Sequence, residues 1–306
     1  MKISRALKII KDYLTDSDYR FLINTKYGLN NKIPDEEFLK RLFEIKIGKK
    51  LDLENPQTMN EKIQWLKLYD RKPEYTMMAD KVAVRDYIAK TIGEEYLIPC
   101  LGVWEDPDDI DFDSLPDKFV LKCNHNSGLG MYICKDKSKM DIKSVKKELR
   151  KGLKQDYYLA YREWSYKDVP RKIIAEQYMQ DDSGALTDYK FYCFNGKVDY
   201  VLVCLDRHLG DTKFYFFSRD WKLQPFNLRG KSAPEGFTVR RPECMDKMFE
   251  IAETLSKGMK FIRVDLYECN NKIYFGELTF YPSAGFDNKR LPEIDLHFGN
   301  QIDLTV

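Results

Sequence analysis

The strongest constraint on the fold lies near the end of the chain, where two neighbouring segments show strand-like patterns. In residues 261–268, apolar side chains alternate with polar ones, and the polar positions include Arg263 and Asp265. The second segment, 273–280, is apolar except for one carboxylate, Glu277, and a few small or polar residues. Because successive side chains of a strand point to opposite faces, the two segments are predicted to form a hairpin with one buried face.

The register of this hairpin decides which side chains lie side by side. A three-residue loop at 270–272 is predicted, since it pairs Asp265 with Glu277 and Arg263 with Thr279 while the apolar residues share the opposite face. A two-residue turn would place Glu277 on the apolar face, because a slip of one residue exchanges the two faces. Two adjacent carboxylates repel each other, so a cation is expected between them.

This carboxylate pair predicts a magnesium site. Magnesium is bound in proteins by one or two carboxylates, keeps several waters, and completes its octahedron with phosphate oxygens. Arg263, on the same face as Asp265 and Glu277, would neutralise charge that develops on a transferring phosphoryl group. The alternative interpretation is a surface hairpin whose charges face water, with Arg263 as the counter-ion of both acids.

A second candidate site is the loop after the predicted strand 119–123. Lys122 ends an apolar run, and Gly128 and Gly130 allow backbone amides to approach an anion closely. The loop does not have the glycine spacing of a Walker A motif. It is interpreted as a phosphate-binding loop, with an ordinary hairpin connection as the alternative.

The overall composition limits the partners and the compartment. With 51 basic and 49 acidic residues, the net charge of +2 provides no field that would require nucleic acid. The seven cysteines show no zinc-ligand spacing and are expected to be reduced thiols. No apolar segment reaches the length of a membrane span or has the form of a signal peptide, so a cytoplasmic protein is expected.

The pattern of periodicities predicts an α+β fold. Residues 1–75 show apolar residues at helical spacing and are predicted to form a helical N-terminal segment, followed by a domain over 76–306 that mixes hairpins with helices. The tyrosines near residue 160, such as Tyr157 and Tyr161, are interpreted as core residues or as the lining of a sugar cleft.

The first predicted helix carries an apolar stripe and a basic stripe. The two stripes consist of Ile3, Leu7, Ile10 and Leu14, and of Lys2, Arg5, Lys8 and Lys11. Such a helix can lie on an anionic membrane surface, and peripheral membrane contact is one expectation. The alternative is an ordinary packed helix with a solvated charged face.

Several separated segments resemble the TupA-like (teichuronopeptide biosynthesis) branch of the ATP-grasp superfamily. They are DKVAVR at 80–85, FVLKCNHNSG at 119–128, TDYKFYCFNG at 187–196 and FGELTF at 275–280. The resemblance extends from about Asn60 to the end of the chain, with the segments in the same order. It implies two α+β lobes that clasp ATP, with a hinge near 175–188.

The resemblance also implies roles for individual residues. Lys81 and Lys122 would hold phosphates, and a mobile loop bearing Ser127, Gly128 and Gly130 would close over them. The further nucleotide contacts that it implies are Glu176, Tyr178, Asp188 and Lys190. Asp265 and Glu277 correspond to the magnesium carboxylates and Arg263 to the arginine that stabilises the acyl phosphate. Many ATP-grasp enzymes have asparagine where this chain has Thr279, which leaves a second metal position open.

The predicted function is that of an ATP- and magnesium-dependent ligase, which activates a carboxylate as an acyl phosphate and joins it to an amine. The resemblance implies a polysaccharide substrate, with an amino acid or peptide-like group attached to a uronic acid of a capsule or cell-wall polymer. A kinase, which would stop after phosphoryl transfer, is one alternative. A glycosyltransferase is another, because Asp109, Asp111 and Asp113 form two Asp-x-Asp pairs, although an acidic turn also explains them.

Overall fold

The computed structural model describes residues 2–181, 186–206 and 210–305, and the side chains of residues 2–6 lie outside this description. It consists of two antiparallel sheets with helices around them. No helix in the described ranges is long and apolar enough to cross a membrane.

The smaller sheet has four strands in the order β1-β4-β2-β3. The strands are β1 (Cys100–Trp104), β2 (Phe119–Cys123), β3 (Met131–Cys134) and β4 (Ile173–Gln177). Helix α7 (Ile142–Leu153) begins at Asp141, whose carboxylate accepts a hydrogen bond from the Ser144 amide at 3.1 Å. The helix buries Val145 and Leu149 in the core of this sheet.

The larger sheet has six strands in the order β10-β9-β5-β6-β7-β8. The strands are β5 (Thr187–Phe194), β6 (Lys197–Leu205), β7 (Lys213–Ser218), β8 (Leu223–Gln224), β9 (Phe261–Cys269) and β10 (Lys272–Thr279). A turn at Asn195 and Gly196 joins β5 to β6, and both residues have positive φ, at 51° and 77°. Helix α10 (Met245–Ser256) packs on the sheet, where Phe249 meets Phe191 edge to face at 5.1 Å.

The remaining helices surround these two sheets. They are α1 (Lys2–Thr15), α2 (Ser17–Lys26), α3 (Asp35–Ile47), α4 (Met59–Tyr69), α5 (Glu74–Ala79), α6 (Val84–Thr91), α8 (Tyr157–Tyr161), α9 (Leu228–Lys231) and α11 (Pro292–Gln301). Helix α4 packs against α11, and its Met59 and Ile63 belong to the same core as the larger sheet. One helix of the N-terminal segment is therefore part of the main body, and the boundary at residue 75 stays a prediction.

Helices α2 and α3 contribute to a smaller core, against which Tyr161 and Phe286 also pack, and Arg162 adds polar contacts to the same region. Arg162 is 1% exposed, and its Nη2 donates to the carbonyls of Asn30 at 3.1 Å and Asn31 at 3.3 Å. Its guanidinium lies 4.2 Å from the centre of the Phe38 ring. The loop between α2 and α3 is thus held by a side chain from the middle of the chain.

The predicted hairpin of β9 and β10 is present, but its turn differs from the prediction. Asn270 and Asn271, with φ of 52° and 62°, form a two-residue turn, so the predicted three-residue loop at 270–272 is wrong. A bulge at Gly276 then shifts the register by one residue. Beyond the bulge Glu277 pairs with Asp265, which confirms the predicted neighbours.

The bulge position has too little space for any side chain, so it requires glycine. A Cβ at Gly276 would lie 2.9 Å from the carbonyl oxygen of Asp265 and 3.0 Å from the Tyr267 ring. Because the bulge restores the register, Thr279 also pairs with Arg263 as predicted. The carboxylates therefore share a face despite the shorter turn.

Replacing Gly276 with alanine is expected to lower the free energy of unfolding by about 1–3 kcal/mol, because the new methyl group would press on backbone that cannot move aside freely. Chemical denaturation measures the change. Lys272→Ala, an exposed substitution on the same strand, is the control and should stay within about 0.5 kcal/mol of the wild type. Equal stability of the Gly276→Ala variant and the control would contradict the steric role of this glycine.

Candidate functional site

A row of charged side chains crosses three neighbouring strands of the larger sheet. Lys190 on β5 pairs with Asp265 on β9, and Asp265 pairs with Glu277 on β10. The Lys190 ammonium contacts the Asp265 carboxylate and lies 2.6 Å from the Asp188 carboxylate. Asp188 and Asp265 are each only 1% exposed, so their charges are compensated inside the protein.

Arg263 is the cation that lies between the two carboxylates. Its Nε and Nη2 donate to the two oxygens of Asp265, each at 2.7 Å, in a bidentate pair. The same Nη2 lies 3.1 Å from the Thr279 hydroxyl and 3.6 Å from the Glu277 carboxylate. The guanidinium therefore bonds mainly to Asp265. The Glu277 side chain is 40% exposed to solvent.

The surrounding charges keep Glu277 ionised. Burial by itself raises the pKa of the Glu277 carboxyl, but the positive charges of Lys81, Arg263, Lys190 and Lys122 outweigh this and lower its pKa to about 2. Burial likewise disfavours the charged form of Arg263, yet the Asp265 carboxylate raises its pKa above the ordinary value. Glu277 is therefore an anion at every physiological pH.

The two carboxylates fit the requirements of magnesium. Both are hard oxygen donors, and the exposed Glu277 has lone pairs that Arg263 does not occupy. Among the described residues, no cluster of three or more His, Cys, Asp or Glu side chains has the arrangement of a metal site. A site built from Asp265 and Glu277 would therefore rely on water and phosphate oxygens for its other ligands, as magnesium does.

The smaller sheet faces this row across a narrow cleft. Lys122 on β2 and Glu176 on β4 form an ion pair at 2.6 Å, and Arg85 lies 3.7 Å from Glu176. These residues, together with Lys81 and Glu277, line an enclosed space of about 20 Å³. The structure thus brings together two predicted phosphate-binding lysines, one predicted nucleotide contact and one predicted metal ligand.

The glycine loop between β2 and β3 is fixed to Lys81. The Lys81 ammonium donates to the carbonyl of Asn126 at 2.6 Å, and burial lowers its pKa. Gly128, with φ of 84°, is exposed and has open space where a Cβ would lie. Gly130, with φ of 70°, is buried, and a Cβ there would lie 2.6 Å from the sulfur of Cys123. Gly128 can therefore approach a ligand, whereas Gly130 is needed for packing.

Three of the four further nucleotide contacts that the resemblance implies do not line the narrow cleft. Tyr178 follows β4, and the Lys135 ammonium lies 6.0 Å from the centre of its ring. Asp188 and Lys190 belong to the charged row of the larger sheet. The predicted hinge, 175–188, includes residues 182–185, which lie outside the described ranges.

The Asp-x-Asp pairs form an exposed turn. Asp111 accepts hydrogen bonds from the amides of Asp113 at 3.0 Å and Ser114 at 3.4 Å, as in an Asx turn. Asp109, Asp111 and Asp113 are exposed, while the intervening Ile110 and Phe112 are buried. The acidic turn explains these residues without a sugar-nucleotide site.

Comparison with known protein families identifies the family of this chain. The sequence profile described as TupA-like ATPgrasp matches residues 61–303, most of the chain. The chain belongs to the TupA-like ATP-grasp family. It is therefore an ATP-grasp ligase with the α+β fold of that superfamily, which confirms the predicted fold class. The enzymes of this superfamily use ATP and magnesium.

Solved structures of other ATP-grasp ligases are similar to this TupA-like chain at low identity. The D-alanine–D-alanine ligase from Bacillus anthracis, complexed with ATP, is 14% identical with a TM-score of 0.44, and the match covers 94% of each chain. The Helicobacter pylori D-alanine–D-alanine ligase is also 14% identical with a TM-score of 0.44, covering 81% of this chain and 70% of that one. PsnB, complexed with a phosphomimetic variant of its minimal precursor, Mg and ADP, is 9% identical with a TM-score of 0.38, covering 80% and 61%. The curated proteins gave no match.

A second, larger cavity of about 390 Å³ lies beside Glu277 in the TupA-like chain. It is lined by Ser127, Tyr157, Tyr161, Glu163, Tyr166, Arg263, Glu277, Thr279, Tyr281, Ser283 and Ala284. Tyr157 and Tyr161 were interpreted as core or cleft residues, whereas Glu163 and Tyr281 were not predicted. Glu163 lies in a connection after α8, where no periodicity marks it, and Tyr281 follows the last strand directly.

A left-handed turn forms one wall of this cavity. Ser283, Ala284 and Gly285 have φ of 52°, 52° and 66°, and such values are costly for residues other than glycine. The Gln64 amide donates to the Gly285 carbonyl at 2.7 Å, and the Lys67 ammonium donates to the Ala284 carbonyl at 2.7 Å. Two polar side chains of α4 therefore stabilise a conformation that the sequence alone does not favour.

Replacing Lys67 with methionine is expected to lower the free energy of unfolding by about 1–3 kcal/mol, because buried oxygens that bond to Lys67, including the Tyr161 carbonyl at 2.9 Å, would lose a donor. Chemical denaturation measures the loss. Lys62→Met, on the same helix, removes a single bond to the Ile302 carbonyl from a less buried side chain and serves as the matched control. Losses of equal size in both variants would contradict a special role of Lys67.

Proposed function

We propose that this chain uses ATP and magnesium to activate a carboxylate as an acyl phosphate and then joins it to an amine. The observation that carries the proposal is the register of β9 and β10, which places Asp265 beside Glu277, while Glu277 lines the cleft together with Lys81 and Lys122. A pair of neighbouring carboxylates, one of them sharing a cleft with two cations, fits a metal-bound polyphosphate.

Each of these residues has a distinct part in the proposed reaction. Asp265 and Glu277 would hold magnesium, which when bound offsets negative charge on the phosphate oxygens. Lys81 and Lys122 would bind those oxygens, and the exposed amide of Gly128 would approach them from the loop. Arg263, fixed by its bidentate pair with Asp265, is oriented toward the substrate that attacks the phosphoryl group.

The narrow cleft makes opening a part of the proposed cycle. A space of about 20 Å³ holds roughly one water molecule, so a nucleotide enters only when the two sheets separate. Separation would leave the ion pair between Lys122 and Glu176 intact, because both residues belong to the smaller sheet. A bound phosphate would therefore compete with Glu176 for Lys122. Lobe movement of this kind is typical of enzymes that exclude water during transfer.

We further propose a uronic acid of a polysaccharide or its precursor as one substrate and an amino acid or peptide-like group as the other. The resemblance to TupA-like proteins supports this choice, and the tyrosine-lined cavity beside Glu277 provides hydroxyl groups and ring faces of the kind that bind sugars. A kinase would use the same cleft but would release the phosphorylated carboxylate. Product analysis in the presence of an amine distinguishes the two.

Binding of ATP with magnesium is the first expectation, and isothermal titration calorimetry measures it. The wild-type protein should bind ATP-magnesium and should not bind UDP-glucose or UDP-glucuronic acid under the same conditions, because the acidic turn at Asp109, Asp111 and Asp113 has the hydrogen bonds of a structural turn. Selective binding of a UDP-sugar would instead support the glycosyltransferase alternative.

Glu277→Gln is expected to weaken ATP-magnesium binding by at least about tenfold, roughly 1.4 kcal/mol, and to abolish turnover while leaving the fold intact. Glu277 is preferred to Asp265 for this test, because removal of the Asp265 charge would leave the buried Arg263 and Lys190 with less compensation. Turnover is measured as acyl hydroxamate formed from glucuronic acid, ATP, magnesium and hydroxylamine. Glu235→Gln, an exposed substitution, is the control. Undiminished activity in Glu277→Gln would rule out the metal site.

We also propose that α1 contacts an anionic membrane surface. Within the part of this helix whose side chains are described, residues 7–15, four apolar side chains are exposed to solvent: Leu7, Ile9, Ile10 and Leu14. Lys8 and Lys11 are exposed beside them, which matches the charge of anionic lipid. A ligase that modifies a polymer assembled at a membrane would be brought close to its substrate by such a contact.

Vesicle co-sedimentation tests this contact. The wild-type protein should sediment with vesicles of phosphatidylcholine and phosphatidylglycerol in equal parts, and binding should fall in high salt and in vesicles of phosphatidylcholine alone. Leu7→Glu combined with Leu14→Glu should abolish sedimentation. Leu228→Glu, at another exposed leucine, is the matched control and should retain it. Equal binding by both variants would contradict a role of α1.

A further inference from the structure

The cavity beside Glu277 contains one buried charge that the proposed phosphoryl transfer does not use. Arg263 is paired with Asp265, and Glu277 is assigned to the metal. Glu163, in contrast, lines the same cavity, is 4% exposed and has no part in the nucleotide cleft. A buried carboxylate requires a positive partner, so the surroundings of Glu163 decide what the cavity binds.

The nearest lysine does not supply that partner fully. The Lys67 ammonium has three donors, and they are directed at the Gln64 side-chain oxygen at 2.9 Å, the Tyr161 carbonyl at 2.9 Å and the Ala284 carbonyl at 2.7 Å. Burial raises the pKa of Glu163 to about 7 even though Lys67 lowers it. The carboxylate is thus only partly compensated by the protein.

A second buried group also points to a ligand. Tyr281 is 3% exposed and lines the same cavity, and its hydroxyl has no hydrogen-bond partner within the described ranges. A buried hydroxyl without a partner is costly, by about 1–3 kcal/mol, and such groups are rare. The cost is removed when a bound molecule accepts or donates a hydrogen bond at this position.

The walls of the cavity indicate the size and character of that molecule. A volume of about 390 Å³ is within the range of small-molecule sites. The side chains of Tyr157 and Tyr166, which meet edge to face at 4.9 Å, present ring faces and hydroxyls. Ser283 and Ala284 of the left-handed turn also line the cavity, and hydrogen bonds from Gln64 and Lys67 of α4 hold this turn in place.

We propose that this cavity is the site of the amine substrate, which binds as an ammonium ion with Glu163 as its ionic partner and Tyr281 as a hydrogen-bond partner. The proposal rests on the proposed ligase function and gives its second substrate, the amine, a binding site. A carboxylate substrate is disfavoured at Glu163 by like charge, so it would bind toward Arg263. The two reacting groups would then enter one cavity from opposite ends, with Glu277 at their junction.

Saturation-transfer NMR tests the cavity without requiring turnover. The probes are the twenty common amino acids and glucosamine, each compared with its N-acetyl counterpart, which has nearly the same skeleton without the ammonium charge. They are added to the protein in the presence of magnesium and a non-hydrolysable ATP analogue. At least one amine should bind to the wild type, and its N-acetyl counterpart should bind at least about tenfold more weakly.

Two substitutions then assign the binding to the cavity. Glu163→Gln should weaken binding of that amine at least tenfold, and Tyr281→Phe, which removes only the hydroxyl, should weaken it severalfold. Because the Tyr281 hydroxyl has no partner in the described part of the chain, its loss should not lower the thermal unfolding midpoint, so Tyr281→Phe remains informative even if Glu163→Gln unfolds. Glu235→Gln is the exposed control and should bind as the wild type does.

The outcomes separate this inference from the proposed ligase. Failure of every amine to bind the wild type, equal binding of amine and N-acetyl probes, or full binding by both cavity variants would overturn the amine site. Hydroxamate formation would in those cases still support the ligase. Amine binding that depends on Glu163, in a protein that forms no hydroxamate, would support the site and reject the proposed reaction.

Discussion

The bidentate pair between Arg263 and Asp265 is the interaction on which the functional architecture depends. A carboxylate that is 1% exposed is tolerated only because Arg263 and Lys190 both contact it. Since Lys190 comes from β5 and Asp265 from β9, their contact also fixes the alignment of these adjacent strands. A slip of one residue would place charged groups in the apolar core, so the register of the whole row is strongly determined.

The narrow cleft and the larger cavity meet at Glu277. Glu277 belongs to the lining of both, and its carboxylate is the part of the charged row that is most accessible. Lys122 of the smaller sheet and Lys81, between α5 and α6, give the cleft its positive character. The tyrosines and Glu163 give the cavity an aromatic and anionic character. A ligase reaction, in which a carboxylate oxygen first attacks phosphorus and an amine then displaces phosphate from the acyl carbon, would benefit from this separation.

The alternation of apolar and polar residues predicted which side chains are neighbours in the hairpin of β9 and β10. It did not predict the two-residue turn or the bulge that together align them. The pairing of Asp265 with Glu277 followed from the apolar pattern, whereas the bulge at Gly276 required the positions of both strands. An isolated glycine within a strand is a known sign of a bulge and could have indicated it. Glu163 and Lys67 were beyond prediction, because their significance arises from contacts between segments almost a hundred residues apart.

The hydrogen bonds of Arg162 show that the catalytic domain needs residues from before its family-matched part in order to fold fully. The family profile begins at residue 61, but the carbonyls that accept hydrogen bonds from Arg162 belong to Asn30 and Asn31. A protein shortened to the family-matched residues would leave a buried guanidinium without these acceptors, immediately before Glu163 in the chain. The helices that precede the family-matched residues therefore support them, and removal of these helices would loosen the segment that carries Glu163 into the cavity wall.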